Sequence, residues 1–80
     1  MITVVDHDNI IDIIVASKNG KLLVLDAALT IKKQYNTVNG RPEALSANEN
    51  YIAVGSWWGG KVFFYQRNGS EEPTVRIKLR

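Results

Sequence analysis

Apolar residues along this chain fall in short runs, not at the 3–4 residue spacing of an amphipathic helix. Ile10-Ile11-Asp12-Ile13-Ile14-Val15-Ala16 is dominated by β-branched side chains, which fit a pleated strand better than a helix. Lys21-Leu22-Leu23-Val24-Leu25 follows after Lys18-Asn19-Gly20. Asn-Gly between two apolar runs predicts a hairpin, because both residues tolerate positive φ. A second pair has the same form. Tyr51-Ile52-Ala53-Val54-Gly55-Ser56 passes through Trp57-Trp58-Gly59-Gly60 into Lys61-Val62-Phe63-Phe64-Tyr65, and Gly59-Gly60 supplies a permissive turn.

The remaining segments are more polar. Thr30–Thr37 carries Lys32 and Lys33 and suits an outer strand, where lysine discourages pairing with another chain. Asn39-Gly40-Arg41-Pro42 reads as a loop, with the proline opposing a regular internal strand. Ala44-Leu45-Ser46-Ala47 is short and built of small residues; a short helix over Pro42–Ala47 is the competing expectation. Asn48-Glu49-Asn50 is a turn. Thr74–Arg80 alternates apolar and basic residues, as a half-exposed strand does.

Composition narrows the class. The chain has 80 residues, of which 45% are hydrophobic and 22% charged, so it carries enough apolar material to fold. No apolar run approaches the ~20 residues of a membrane helix. The start, Met1-Ile2-Thr3-Val4-Val5-Asp6, lacks the basic and apolar regions of a signal peptide, which points to a cytoplasmic, intracellular protein. The absence of cysteine excludes disulfides and cysteine-based zinc sites. A net charge of +2 is too small to argue for nucleic acid by itself.

The chain also repeats itself. Gly20–Leu25 aligns with Gly60–Tyr65 at a shift of 40, and Ile13–Ser17 with Ile52–Ser56 at a shift of 39. Thr30-Ile31-Lys32-Lys33 and Thr74-Val75-Arg76-Ile77 take the same place further along, with Gly69–Pro73 as the extra loop. Four short strands in a period of about 40 residues is the pattern of a β-propeller blade. The run Val15–Asp26 resembles a WD40-type repeat. Asn19-Gly20 stands in the place of the family's Asp-Gly, and Leu25-Asp26 in the place of its Trp-Asp. Val54–Gln66 resembles the same run, with Tyr65-Gln66 at its end. Leu23-Val24-Leu25-Asp26-Ala27 is also similar to quinoprotein-type propeller repeats. No Gly-His pair precedes the second unit, so the resemblance does not extend to the family's Asp-His-Ser-Trp hydrogen-bond network.

The resemblance implies an all-β fold of two four-stranded antiparallel propeller blades, one over residues 1–37 and one over 38–80. Its strands would be Ile2–Val5, Ile11–Ser17, Lys21–Ala27 and Thr30–Thr37, then Glu43–Ala47, Tyr51–Trp57, Lys61–Gln66 and Thr74–Leu79. It further implies a non-catalytic scaffold for protein partners. Such a unit needs more blades, from copies of itself or from a larger propeller; three or four copies would reach the about 4–8 blades of known propellers. The alternative is an oligomeric propeller that binds a small ligand or glycan between blades. Trp57 and Trp58, joined by Arg41, Asn39 and Lys18, would form the partner surface, since exposed Trp beside Arg is typical of interface anchors. The alternative for both Trp rings is packing within or between blades.

Other chemistry has weaker support. Asp6, His7, Asp8 and Asp12 could suggest a metal, but one histidine with loosely spaced carboxylates is equally a turn. There is no Gly-x-Ser-x-Gly elbow and no phosphate-binding glycine loop, so no enzyme and no cofactor is expected. Lys32-Lys33 with Arg76, Lys78 and Arg80 could form a basic face for nucleic acid, or simply protect two outer strands. Asn68-Gly69-Ser70 matches a glycosylation sequon but reads more simply as a turn.

Overall fold

The computed structural model describes residues 1–35, 42–56 and 60–78, with Arg76 and Lys78 described by their backbone alone. Every regular element among them is a strand: β1 (Ile2–His7), β2 (Ile10–Ala16), β3 (Leu22–Leu25), β4 (Ile31–Tyr35), β5 (Pro42–Ala47), β6 (Tyr51–Ser56), β7 (Lys61–Gln66) and β8 (Val75–Lys78). They form two antiparallel sheets, β1-β2-β3-β4 and β5-β6-β7-β8, each an up-and-down meander of neighbours in sequence. The competing helix over Pro42–Ala47 is not formed; that stretch is β5, paired with β6. No helix among the described residues is long and apolar enough to cross a membrane.

The turns follow local chemistry. Asp8 and Asn9 join β1 to β2 with φ of 51° and 64°, the left-handed pair of a two-residue hairpin, which Asp and Asn tolerate best after glycine. At Asn19-Gly20, by contrast, only Gly20 has positive φ, at 88°. The Gly20 N–H donates to the Ser17 carbonyl at 3.0 Å, and the Ser17 N–H to the Lys21 carbonyl at 2.9 Å. The hairpin expected at Asn-Gly therefore closes as a longer turn ending in a left-handed glycine. Asp26 shapes the β3–β4 turn: its Oδ1 accepts the N–H groups of Ala28 and Thr30, each at 2.9 Å. Asn48 does the same before β6, accepting from Asn50 and Tyr51 at 2.8 Å.

Two irregularities matter. Val24 pairs with Lys33 but Leu25 with Ile31, which leaves Lys32 as an extra, bulged residue on β4. Pro42, expected in the loop, is the first residue of β5 and pairs with Ser56. A strand's first position is where proline is tolerated, and the register shifts immediately after it.

The sheets pack face to face, with β1 beside β5. Alternation along each strand sends one set of side chains into the joint. Sheet one contributes Val5, Ile14, Ala16, Leu22, Val24 and Tyr35; sheet two contributes Ile52, Val54, Phe63 and Tyr65. Leu45 and Ala47 flank this single core. The Tyr35 and Tyr65 rings meet edge to face, 5.3 Å apart at 63°.

Candidate interaction surfaces

The joint between the sheets is closed at one side by charge. Asp12 lies on the packed face of β2, in line with Ile14 and Ala16, and is only 8% exposed. Its carboxylate accepts from Lys32 Nζ at 2.7 Å and from the Arg67 guanidinium. Arg67 also donates to the Asn48 carbonyl at 3.0 Å. Its own carbonyl accepts from the Tyr35 hydroxyl at 3.0 Å and from Lys33 Nζ at 3.1 Å, and Lys33 donates to the Gly69 carbonyl as well. The bonds that join Asp12, Lys33 and Tyr35 to Arg67 and Gly69 run from sheet one to the segment after β7, so they fix how one sheet sits on the other. Burial alone would raise the Asp12 pKa. The hydrogen bonds from Lys32 and Arg67, with their charges, outweigh it and hold the carboxyl below its ordinary range. Burial pushes the Tyr35 hydroxyl up.

Lys32 and Lys33 lie on β4, the edge strand of sheet one, as an edge-protecting role requires, and both also take part in this cluster. Both side chains stay partly exposed: Lys32 Nζ reaches Asp12 at the rim of the joint, and Lys33 Nζ lies 4.9 Å from the centre of the Tyr35 ring. Of the other members of the expected basic face, the Arg76 and Lys78 side chains and Arg80 lie outside the described residues. The acidic group does not converge either. Asp12 is held by cations, while His7 Nδ1 sits 2.6 Å from Glu49 across the joint and its Nε2 3.2 Å from Asp8. Among the described residues no three His, Cys, Asp or Glu side chains gather as a metal site. Asn68-Gly69-Ser70 lies in the β7–β8 connection, where the Gly69 N–H donates to the Gln66 carbonyl at 3.1 Å.

Of the residues expected to meet a partner, Lys18 is exposed in the β2–β3 turn. Trp57, Trp58, Arg41 and Asn39 lie outside the described residues. The strand ends that flank them are described. Ala16, Leu22 and Tyr35 close sheet one at the end where Pro42, Ser56 and Lys61 close sheet two. An open hollow of about 210 Å³ there is lined by Met1, Ala16, Lys18, Pro42 and Glu43, from both sheets.

The outward faces are the other prominent surface. On sheet one, Ile2, Val4, Ile11, Ile13, Val15, Leu23, Leu25 and Ile31 share the side away from the joint. Ile2 and Val4 are 70% and 58% exposed. On sheet two the corresponding side carries Tyr51, Ala53, Gly55, Val62, Phe64, Val75 and Ile77, with the Tyr51 and Phe64 rings 5.0 Å apart. Both faces are apolar across their centres, and continuous exposed apolar patches mark contact surfaces.

The internal repeat relates the four faces. Ile14, Ala16, Leu22 and Val24, packed in the joint, align with Ala53, Gly55, Val62 and Phe64 on the outside of sheet two. Ile52, Val54, Phe63 and Tyr65, packed from the other side, align with Ile13, Val15, Leu23 and Leu25 on the outside of sheet one. The two sheets therefore stack in one sense, front on back, and each outward face is the repeat counterpart of a face already buried. Compared with known proteins, the chain matches no family model, no curated protein and no solved structure.

Proposed function

We propose that this chain is a non-catalytic pair of β-propeller blades that serves as a protein-interaction scaffold and is completed by further blades. One observation carries the reading: the front-on-back stacking of two repeats leaves a front and a back uncovered. A contact of that sense repeats with every added unit, and it closes into a ring when the rotation between units allows. The partner surface is proposed to comprise Lys18 together with Trp57, Trp58, Arg41 and Asn39, the four that lie outside the described residues.

Joining three copies in one polypeptide tests the stacking. The tandem should be a compact monomer with a melting midpoint about 10 °C or more above that of the single chain diluted until it is monomeric, since each added joint buries another pair of apolar faces. A tandem that melts at the single chain's midpoint defeats the reading. Replacing Trp57 and Trp58 together by Ala should abolish partner binding with far-UV circular dichroism unchanged. Loss of the fold would instead assign those rings to packing.

A second reading, glycan or small-ligand binding, has one local feature in its favour. An open hollow of about 240 Å³ is lined by Asn50, Tyr51, Gln66, Asn68 and Gly69. A half-exposed tyrosine beside side-chain amides suits a sugar's apolar face and its hydroxyls. Binding to a glycan array separates the two readings.

A further inference from the structure

The stacking reading leaves open what covers the outward faces, and the faces themselves point to an occupant. We propose that it is a second copy of this chain, docked head to tail. The outside of sheet one in one copy, centred on Val15 and Leu23, receives the outside of sheet two in the next, centred on Val62 and Phe64.

Three observations support this. First, the chain carries both halves of the contact. Ile13, Val15, Leu23 and Leu25 are the repeat counterparts of residues that already accept a sheet inside the chain, and Ala53, Gly55, Val62 and Phe64 are the counterparts of those they accept. The contact between copies is thus a continuation of the internal joint, not a new kind of surface. Second, the small residues fall where close approach is needed. Gly55 aligns with Ala16, buried in the internal joint near β5, and Ala44, its partner on β5, is also small. Third, charge does not oppose the approach. The paired positions of the sheet-two face carry no charged residue from Ala44 through Ile77, and the sheet-one face carries only Asp6, at its margin. Asp12 itself aligns with Tyr51, so the charged cluster of the internal joint has no counterpart here. Association is therefore apolar and insensitive to salt.

Head-to-tail docking has a signature that symmetric pairing lacks. Each partner uses a different face, so blocking either face blocks self-association, and two differently blocked chains still share one intact contact. Leu23→Lys blocks the sheet-one face, and Phe64→Lys blocks the sheet-two face. The wild-type chain should have a mass of several chains by light scattering, and each variant the mass of one. An equimolar mixture of the two variants should double in mass and stop there. Val4→Lys and Val75→Lys, at more exposed positions, repeat the test if either first variant loses its circular dichroism spectrum.

Variants that each form dimers alone, with no change on mixing, would overturn the head-to-tail arrangement. A folded wild-type monomer, unaltered by either substitution, would overturn self-association altogether. Neither result touches the stacking reading, which stands or falls on the three-copy tandem.

Discussion

Asp12 is a carboxylate inside a β-branched strand, and it stays ionised because two cations reach it. Lys32 arrives through a bulge in β4, and Arg67 from the other sheet. Removing the carboxylate leaves the largely buried Arg67 guanidinium only the Asn48 carbonyl, so Asp12→Ala should cost about 3 kcal/mol in chemical denaturation. The pH dependence follows from the lowered folded-state pKa. Its stabilisation is present above the ordinary aspartate value of about 3.9 and is lost as pH falls through the lower folded-state value. The wild-type melting midpoint should thus drop as pH falls below about 5, and Asp12→Asn should flatten that drop. Tyr35→Phe keeps the ring against Tyr65 and loses only the bond to the Arg67 carbonyl, which Lys33 still satisfies. It should cost about 0.5–1 kcal/mol and leave the Tyr65 near-ultraviolet signal in place. The odd placement of Asp12 among isoleucines was visible in the sequence, whereas its partner Arg67, 55 residues away, was not.

At the scale of elements, the strands were legible because period-2 alternation and β-branched runs act locally. β2, β6 and β7 lie within a residue of their expected limits. Turn geometry was harder to read. Asn19-Gly20 marked a hairpin correctly but not its form, since the path of the chain there needs positive φ at Gly20 alone. Asp8, read with Asp6, His7 and Asp12 as a turn or a weak metal cluster, forms with Asn9 the two-residue hairpin with both residues left-handed. Gly20→Ala should therefore destabilise the chain by about 1 kcal/mol or more, and Gly20→Asn by less, as measured by thermal unfolding. The Pro42 discrepancy has a comparable cause. Proline opposes a strand's interior, but whether it falls in a loop or at a strand's first residue depends on where the neighbouring strand ends, here at Ser56.

For the whole molecule, the repeat near 40 residues announced two similar units, and the chain forms two antiparallel sheets. Local pattern by itself determined that it is all-β and, apart from the Lys32 bulge and the start of β5, where its strands run and which residues share a face, because each of these follows from neighbouring residues and a fixed period. Tertiary structure decided which of each sheet's two apolar faces is buried. Both faces of β2 are rich in Ile and Val, so alternation cannot choose between them; the choice is made by contact with the other sheet and is fixed by Asp12, Lys32, Lys33 and Arg67. It also gave the two lysines of edge strand β4 partners at the rim of the joint, Asp12 for Lys32 and the Arg67 carbonyl for Lys33. That choice gives the stacking its single sense, and a single sense is what leaves one unlike face open at each side of the chain.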